Sequence, residues 1–181
     1  MILYTVVPCY NEEEALPETV RILSDKYFAL MRKGMISEES RILFVDDGSS
    51  DDTWNMIKEY HEKKPIFCGL KLSRNRGHQN ALYAGLMAAM PHCDAAISID
   101  ADLQDDVDAI DQMILKFNDG CDIVYGVRNK RDSDKFMKRF TAEGYYKVMR
   151  LFGAQIIFNH ADFRLMSSRA IQALSEFEEV N

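Results

Sequence analysis

Short apolar runs alternate with longer segments of helical periodicity along this chain, and that alternation limits the folds that it can adopt. The apolar runs predict strands at Ile2–Val7, Arg41–Val45, Ile66–Leu72, Ala95–Ile99 and Asp122–Gly126. The segments between them predict helices at Glu14–Lys33, Asp52–Lys63, Gly77–Met90 and Val107–Asn118. Strands that are apolar on both faces and alternate with helices form a parallel sheet covered on both sides. The sequence therefore predicts a Rossmann-like α/β fold with a mostly parallel sheet.

The pattern changes after Arg128. We expect a basic loop there, then a helix near Lys135–Phe152, a second loop, and a final helix from Ser167. A length of 181 residues suits one domain over residues 1–181. The chain stops at SEFEEVN, in helix-like sequence that has no closing signal, so we expect a domain that is truncated at this end.

Charge and cysteine usage exclude several classes of protein. A net charge of -7 argues against a nucleic-acid binder, because an acidic surface repels phosphate backbones. The four cysteines form no CxxC pair, so neither a zinc site nor a disulfide framework is indicated. The longest uncharged apolar stretch, Ala81–Met90, is well short of the roughly 20 residues that a membrane helix needs. The sequence is compatible with a monomer or a homo-oligomer.

Polar side chains follow every predicted strand at the point where the strand ends. The segments are Pro8–Glu12, Asp46–Ser49, Ser73–Asn75, Asp100–Asp102 and Gly126–Arg128. In open α/β sheets, ligands bind outside the carboxyl ends of the strands, which meet at one edge. We therefore expect these segments to form one site.

The stretch SIDADLQDD carries the clearest chemistry. Asp100 and Asp102 are two residues apart, which places both side chains on one side of an extended backbone. Two carboxylates so close repel each other unless they share a cation. Gln104 adds a neutral oxygen on the same side, so Mg²⁺ or Mn²⁺ is the natural ligand. The acids that follow, Asp105, Asp106 and Asp108, are typical of the start of a helix.

Asp46 and Asp47 open a second carboxylate-rich turn, DDGSSDDT. A turn and a helix cap account for Ser50 or Asp51. They account less well for Asp46 and Asp47 at the tip of the strand, so we expect one of these two to accept hydrogen bonds from a nucleoside.

A basic segment contrasts with the acidic remainder of the chain. Residues 128 to 150 include eight Lys and Arg residues but only three Asp and Glu residues. The basic members are Arg128, Lys130, Arg131, Lys135, Lys138, Arg139, Lys147 and Arg150. Such a cluster suggests an anionic partner, either a phosphate or a membrane surface. The four histidines have no metal-like spacing; His78 and His160 fall near the expected loops of the site, and the sequence assigns neither a role.

Taken in order, six motifs resemble glycosyltransferase family 2. They are VPCYNEEE, FVDDGSSDDT, LSRNRGHQNALYAG, SIDADLQDD, YGVR and HADFRLMSSRA. DADLQ and DFRL narrow the resemblance to the polyprenyl-phosphate glycosyltransferases, the group of dolichol-phosphate mannosyltransferases and bactoprenol glucosyltransferases. Arg76 stands where relatives often have an aromatic residue, and Asn80 where a small residue is common.

The resemblance implies a GT-A fold, a UDP- or GDP-sugar donor, Mg²⁺ or Mn²⁺, and inversion at the anomeric carbon. The nucleotide-sugar pocket would comprise Pro8, Tyr10, Asn11, Glu12, Asp100 and one of Asp46 and Asp47. The metal would be held by Asp100, Asp102 and Gln104. The acceptor phosphate would be gripped by Arg128, Lys138 and Arg139. Asp162 and Arg164 would lie beside the reacting sugar, with Asp162 as the base.

The resemblance also implies a polyprenyl phosphate acceptor and a place at the cytoplasmic face of the membrane. The family's C-terminal membrane helices are absent from this sequence, which fits the expected truncation. One alternative is a family 2 transferase that acts on a saccharide hydroxyl in polysaccharide synthesis. Two others are a nucleotidyltransferase, which also uses a metal and carboxylates, and a sugar-nucleotide binding module without catalysis.

Overall fold

A computed structural model describes residues 1–127 and 160–176 of the chain. Its strands are β1 (Leu3–Cys9), β2 (Arg41–Asp46), β3 (Phe67–Lys71), β4 (Ala95–Ser98), β5 (Ile123–Val127) and β6 (His160–Ser167). Its α-helices are α1 (Leu16–Arg32), α2 (Thr53–Lys63), α3 (His78–Ala89), α4 (Ala109–Asn118) and α5 (Ser168–Ser175), and a 3-10 turn, Met90–His92, follows α3. The five predicted strands and the four helices between them are confirmed, and so is the helix expected after Ser167. The helix expected near Lys135–Phe152 lies outside the described residues.

The strands form one sheet in the order β3-β2-β1-β4-β6-β5. β1 pairs in parallel with β2 and β4, and β2 pairs in parallel with β3. The helices cover both faces: α1, α2 and α4 contribute to one apolar cluster, and α3 and α5 to the other. The mostly parallel α/β fold is therefore confirmed, and the carboxyl ends of β1 to β4 meet at one edge.

β6 corrects the predicted loop before Ser167. The strand lies antiparallel between β4 and β5. Phe163 and Leu165 are buried while Arg164 between them is partly exposed, which is the alternation of a strand. The charged residues of DFRL interrupt the apolar pattern of this short segment, so the sequence did not show the alternation clearly. Because β6 runs antiparallel, its first residues lie at the edge where the parallel strands end.

An ion-pair cluster joins α1 to α4. The Lys26 ammonium lies 2.8 Å from a carboxylate oxygen of Asp108 and also contacts Asp111. Lys33 lies 3.0 Å from the other oxygen of Asp111. Asp108 directly precedes α4, as its assignment to the helix start predicted. Asp105 was expected to be one of the acids at the start of this helix, but it is buried, with only 6% of its surface exposed.

The ion pairs that Asp111 makes with Lys26 and Lys33 make the stability of the fold depend on pH. Burial alone would raise the pKa of Asp111, but hydrogen bonds from Lys26 and Lys33 outweigh it and hold that pKa below its usual value. A lowered pKa stabilises the folded state above the unfolded pKa of about 3.9, and the contribution is lost as the pH falls through the folded value. Asp111→Asn should therefore lower the free energy of unfolding by about 1–2 kcal/mol at neutral pH, and the deficit should shrink below about pH 4.

Urea unfolding of both proteins at several pH values measures this difference. Asp25→Asn is the matched control, because Asp25 pairs with Arg21 at 3.5 Å on the open surface of α1. Exposed pairs contribute little to stability, so this variant should unfold like the wild type. A deficit for Asp111→Asn that stayed constant down to pH 3 would contradict the ionic explanation.

Candidate active site

Asp100 and Asp102 follow β4 directly, on a segment that α1 holds in place. The Thr19 hydroxyl of α1 donates a hydrogen bond to the carbonyl of Ala101 at 2.5 Å. Ala101 itself is buried, while the two carboxylates on either side of it line an open cleft. The strand and the helix therefore fix the backbone from which both carboxylates project.

Gln104 contacts Asp102 in two ways. Its side-chain amide donates a hydrogen bond to one carboxylate oxygen at 2.7 Å. Its backbone N–H lies 3.3 Å from the other oxygen. Leu103 between them has a φ of 46°, in the left-handed region, and this turns the chain back toward Asp102. Gln104 thus orients Asp102, and the oxygen of its side-chain amide is the atom that would suit a cation.

The cleft beside these carboxylates has a volume of about 290 Å³. Its lining residues are Pro8, Glu12, His78, Asp100, Ala101 and Asp102. Burial raises the pKa of Glu12, and the charges of Asp102, Asp51 and Asp100 raise it further. The cleft therefore brings together predicted residues from the ends of β1 and β4 and concentrates negative charge between them.

This oxygen-rich cleft fits a hard divalent cation such as Mg²⁺ or Mn²⁺. Within residues 1–127 and 160–176, no three His, Cys, Asp or Glu side chains form a group that could hold a metal by themselves. Mg²⁺ commonly uses only one or two protein carboxylates, with phosphate oxygens and water as its other ligands. Asp100 and Asp102 have the chemistry to hold an ion in that manner, with oxygens of a ligand or of water completing its shell.

The segment after β1 is joined to the turn after β2. The backbone N–H of Asn11 donates to the Ser49 hydroxyl at 3.0 Å, and the Asn11 side-chain oxygen accepts from the Ser50 N–H at 2.9 Å. The Glu12 N–H donates to the Thr53 hydroxyl at 2.9 Å. Asn11 has a φ of 56°, which asparagine tolerates better than most residues. Tyr10 is left 47% exposed at the rim of the site.

Asp46 and Asp47 lie beneath the loops and have little contact with solvent. Asp46 is 0% exposed, accepts a hydrogen bond from the Ser49 N–H at 3.2 Å, and lies 3.7 Å from the Lys71 ammonium. Asp47 is 2% exposed and accepts from the N–H groups of Arg76 at 2.7 Å and Gly77 at 2.9 Å. The carboxylate of Asp47 thus fixes the loop that leads into α3.

His78 is the residue at this site to which the sequence assigned no role. It is the first residue of α3, and its Nε2 atom lies 3.5 Å from a carboxylate oxygen of Asp100. Spacing along the chain gave no sign of this contact, because the two residues come from loops after different strands. The available signal was the position of His78 after β3, at the edge where the other site residues cluster.

Arg164 lies in the middle of β6, opposite Ser98 of β4 and Tyr125 of β5. Its Nε atom is buried and has no hydrogen-bond partner among the described residues. Two residues earlier in the strand is Asp162, at the edge where Asp100 follows β4. The predicted acceptor residues Arg128, Lys138 and Arg139 lie outside the described residues.

The segment DFRL also depends on a close approach between β5 and β6. A Cβ atom at Gly126 would lie 2.4 Å from the ring of Phe163. Glycine in YGVR therefore leaves the space that the phenylalanine of DFRL fills in this chain. None of the helices in the described ranges is both long enough and apolar enough to cross a membrane.

Curated proteins similar to this chain include two informative relatives. The uncharacterized glycosyltransferase YkoT of Bacillus subtilis is 49% identical over 99% of this chain and 53% of its own length. The prophage bactoprenol glucosyl transferase homolog of Escherichia coli is 37% identical over 100% of this chain and 57% of its own length. The chain thus spans a little over half the length of these relatives.

Solved structures share the fold at low sequence identity. The Staphylococcus aureus protein TarS 1-349 in complex with UDP superposes with a TM-score of 0.63 at 17% identity, over 98% of this chain and 50% of that one. The mannosyltransferase PcManGT of Pyrobaculum calidifontis, in complex with GDP-Man and Mn²⁺, superposes with a TM-score of 0.61 at 18% identity. The superposition covers 97% of this chain and 47% of the mannosyltransferase. The fold is that of the GT-A glycosyltransferases.

The sequence profile named Glycosyl transferase family 2 matches residues 4–175, which is most of the chain. The match includes the ends of β1, β2 and β4 and the whole of β6. Together with the curated relatives, it shows that the chain belongs to glycosyltransferase family 2.

Proposed function

We propose that this chain is the catalytic domain of an inverting, metal-dependent glycosyltransferase that transfers a sugar from a nucleoside-diphosphate sugar to a polyprenyl phosphate. The observation that carries the proposal is the cleft in which Asp100 and Asp102 lie together with Glu12 at the carboxyl edge of the sheet. The relatives named as bactoprenol glucosyl transferases match 100% of this chain, which supports a lipid phosphate as the acceptor.

The nucleotide binds along the ends of β1 and β2 in this proposal. Tyr10 is exposed at that edge, and its ring offers a surface on which a base can stack. Pro8 and Glu12 line the adjacent cleft, and Asn11 holds the loop in shape through Ser49 and Ser50. We also propose that Asp46, the last residue of β2, or Asp47 beside it contacts the nucleoside. The donor is a UDP- or GDP-sugar.

Asp100, Asp102 and Gln104 would hold Mg²⁺ or Mn²⁺. The bound ion supplies positive charge that offsets the negative charge on the leaving diphosphate. Gln104 keeps the Asp102 carboxylate oriented through its two hydrogen bonds. Thr19 keeps the backbone between the two carboxylates fixed, so the site is formed before the donor arrives.

The transfer itself is a displacement at the anomeric carbon. An oxygen of the acceptor phosphate forms the new bond to that carbon as the bond to the diphosphate oxygen breaks, which inverts the configuration. Arg164 carries a buried N–H without a partner among the described residues, and an oxygen of the donor would satisfy it. We assign Arg128, Lys138 and Arg139 to the acceptor phosphate, since Arg and Lys bind phosphate well.

The same proposal places the protein at the cytoplasmic face of the membrane, because its acceptor is a lipid and its donor is a nucleotide sugar.

A transfer assay with purified protein tests the proposal directly. UDP- and GDP-sugars are offered with polyprenyl phosphate, with Mg²⁺ or Mn²⁺ or with a chelator. We expect the sugar to appear on the lipid phosphate only with a divalent ion present. Transfer to a saccharide but not to the lipid would contradict the proposed acceptor, and release of pyrophosphate from a nucleoside triphosphate would indicate a nucleotidyltransferase.

Asp162→Asn distinguishes the two classes of acceptor. A phosphate monoester has a second pKa of about 6 and is largely anionic at neutral pH, so it needs positioning more than deprotonation. We therefore expect this variant to lower transfer to polyprenyl phosphate by no more than about tenfold. General base catalysis typically contributes about 10²–10⁴-fold, so a loss of that size would indicate a hydroxyl acceptor. The initial rate of transfer at saturating donor is the measurement.

A further inference from the structure

A second cavity, which we call the amino-edge groove, lies at the end of the sheet opposite the candidate active site. It is bordered by the end of α1, the start of β2 and the segment that joins α2 to β3, and its volume is about 750 Å³. Its apolar lining residues are Phe28, Met31, Pro65 and Ile66. Ile66 is buried, whereas Phe28 is 41% exposed. A volume of this size is typical of sites for small molecules, which are mostly lined by apolar side chains.

The remaining lining residues give the amino-edge groove a positive charge. Four are basic, namely Arg32 of α1, Arg41 of β2, and Lys63 and Lys64 at the end of α2. Glu38 is the acidic residue that lines the groove with them. Positive charges therefore outnumber negative ones here, although the chain as a whole has a net charge of -7. Such a local reversal of charge attracts anions.

The ends of the helices account for two of these basic residues. Arg32 and Lys63 lie in the last turns of α1 and α2, where a positive charge interacts favourably with the helix dipole. Lys63 also pairs with Glu59 at 3.1 Å. The same explanation does not cover Arg41, which opens β2, or Lys64, which follows the last residue of α2.

Arg41 and Lys64 are held at the amino-edge groove by neutral groups. The Nη1 atom of Arg41 donates hydrogen bonds to the carbonyls of Glu38 and Ser40, both at 2.8 Å. The ammonium of Lys64 lies 5.6 Å from the centroid of the Phe28 ring, within the range of a cation–π contact. Carbonyls and an aromatic ring orient these two positive charges without neutralising them, so an anion in the groove can still pair with both.

We propose that the amino-edge groove binds a lipid-like anion, a small molecule that joins an apolar chain to one phosphate or carboxylate head group. The chain would cover Phe28, Met31 and Ile66, and the head group would pair with Arg41 and Lys64. β2 runs for six residues from this groove to the edge where Asp46 lies, a distance of about 17 Å. The groove is therefore separate from the site of sugar transfer, and the inference does not rest on the proposed function.

Calorimetric titration of the purified protein with decyl phosphate, below the concentration at which it forms micelles, tests the inference. We expect saturable binding of this probe. Inorganic phosphate, which lacks the chain, and decyl maltoside, which lacks the charge, should each bind at least about tenfold more weakly. Lys64→Gln should weaken binding of decyl phosphate by about tenfold, and Phe28→Ala by roughly fivefold, because they remove the charge and the apolar surface respectively.

Two variants outside the amino-edge groove are matched controls. Lys58→Gln removes an exposed positive charge elsewhere on α2, and Leu115→Ala removes an apolar side chain on α4 that is 46% exposed. Both should bind decyl phosphate as the wild type does. Thermal unfolding of all four variants checks that the fold is retained. Losses in the controls equal to those in Lys64→Gln and Phe28→Ala would overturn the inference.

Cross-linking establishes where the probe binds, because the proposed acceptor is also a phosphate on an apolar chain. An alkyl phosphate with a diazirine in its chain is activated by light, and the labelled peptides are identified by mass spectrometry. We expect labels within residues 28–32 or 64–66, and fewer of them in Lys64→Gln. Labels confined to residues 128–164 would overturn the groove as the binding site and would instead support the proposed acceptor site.

The other outcomes of the titration are equally decisive. Binding of decyl maltoside as tight as that of decyl phosphate would show that charge plays no part, and equally tight binding of inorganic phosphate would show a simple phosphate site. Binding to phosphatidylglycerol vesicles without binding of monomeric decyl phosphate would indicate a membrane surface as the partner. Each of these results would overturn the inference, whereas failure of sugar transfer would count only against the proposed function.

Discussion

Asp102→Ala is expected to lower sugar transfer by about 10³-fold while leaving the fold intact. Asp102 is exposed, and within residues 1–127 and 160–176 its side chain hydrogen-bonds only to Gln104, so its removal opens no cavity in the core. It supplies one of the two carboxylates that would hold the divalent ion against the diphosphate. Loss of several kcal/mol of charge stabilisation at the leaving group corresponds to a loss of this size in rate.

The measurement is the initial rate of transfer at saturating donor, together with the binding of Mn²⁺. Asp106→Ala is the matched control, since Asp106 belongs to the same acidic stretch but accepts a hydrogen bond from the Asp108 N–H at the approach to α4. We expect that control to keep its activity within about twofold, because its carboxylate does not line the cleft. Equal losses in both variants would mean that general acidity of the stretch, rather than a specific ligand, supports transfer.

Gly48→Ala should destabilise the fold by about 3 kcal/mol and weaken binding of the nucleotide. Gly48 has a φ of 72°, and a Cβ atom there would lie 2.6 Å from the backbone of Arg74. The left-handed conformation costs a residue with a side chain about 1–2 kcal/mol. The contact adds to this cost, because the atoms that must move belong to a backbone that Asp47 holds nearby through Arg76 and Gly77.

Gly34→Ala isolates the conformational part of that cost. Gly34 follows α1 with a φ of 69°, almost the same as Gly48, but nothing lies within 4 Å of a Cβ atom placed there. We expect it to lower the free energy of unfolding in urea by only about 1 kcal/mol, with no effect on binding of UDP or GDP. Similar losses in the two variants would show that the approach of the β2 and β3 loops at Gly48 contributes little.

Local pattern was sufficient for most of the sheet. β1, β2 and β4 are buried on both faces and therefore appear in the sequence as nearly continuous apolar runs. Gly34 follows α1 with a φ of 69°, in the position where glycine commonly ends a helix. β6 could not be predicted in the same way, because its neighbours β4 and β5 are distant in sequence and its charged residues follow from its place at the site.

The same distinction between local pattern and long-range packing applies to the candidate site. The chain itself places Asp100 and Asp102 at the end of an apolar strand, because two-residue spacing and strand geometry are local properties. The burial of Asp47 beneath the loop before α3 was not visible in its sequence, where it appeared as an exposed acid at a strand tip. Hydrogen bonds to Arg76 and Gly77 form only when the β2 and β3 loops are packed together.

The sequence by itself determined the α/β fold, the order of its elements as far as β5, and the edge of the sheet at which the acidic residues gather. Periodicity and strand ends carry that information, since both depend on neighbours along the chain. The tertiary structure alone decided that β6 lies between β4 and β5 and that His78 faces Asp100. Those contacts join segments that are far apart in sequence, and their distances are set by how helices and strands pack rather than by the spacing of residues.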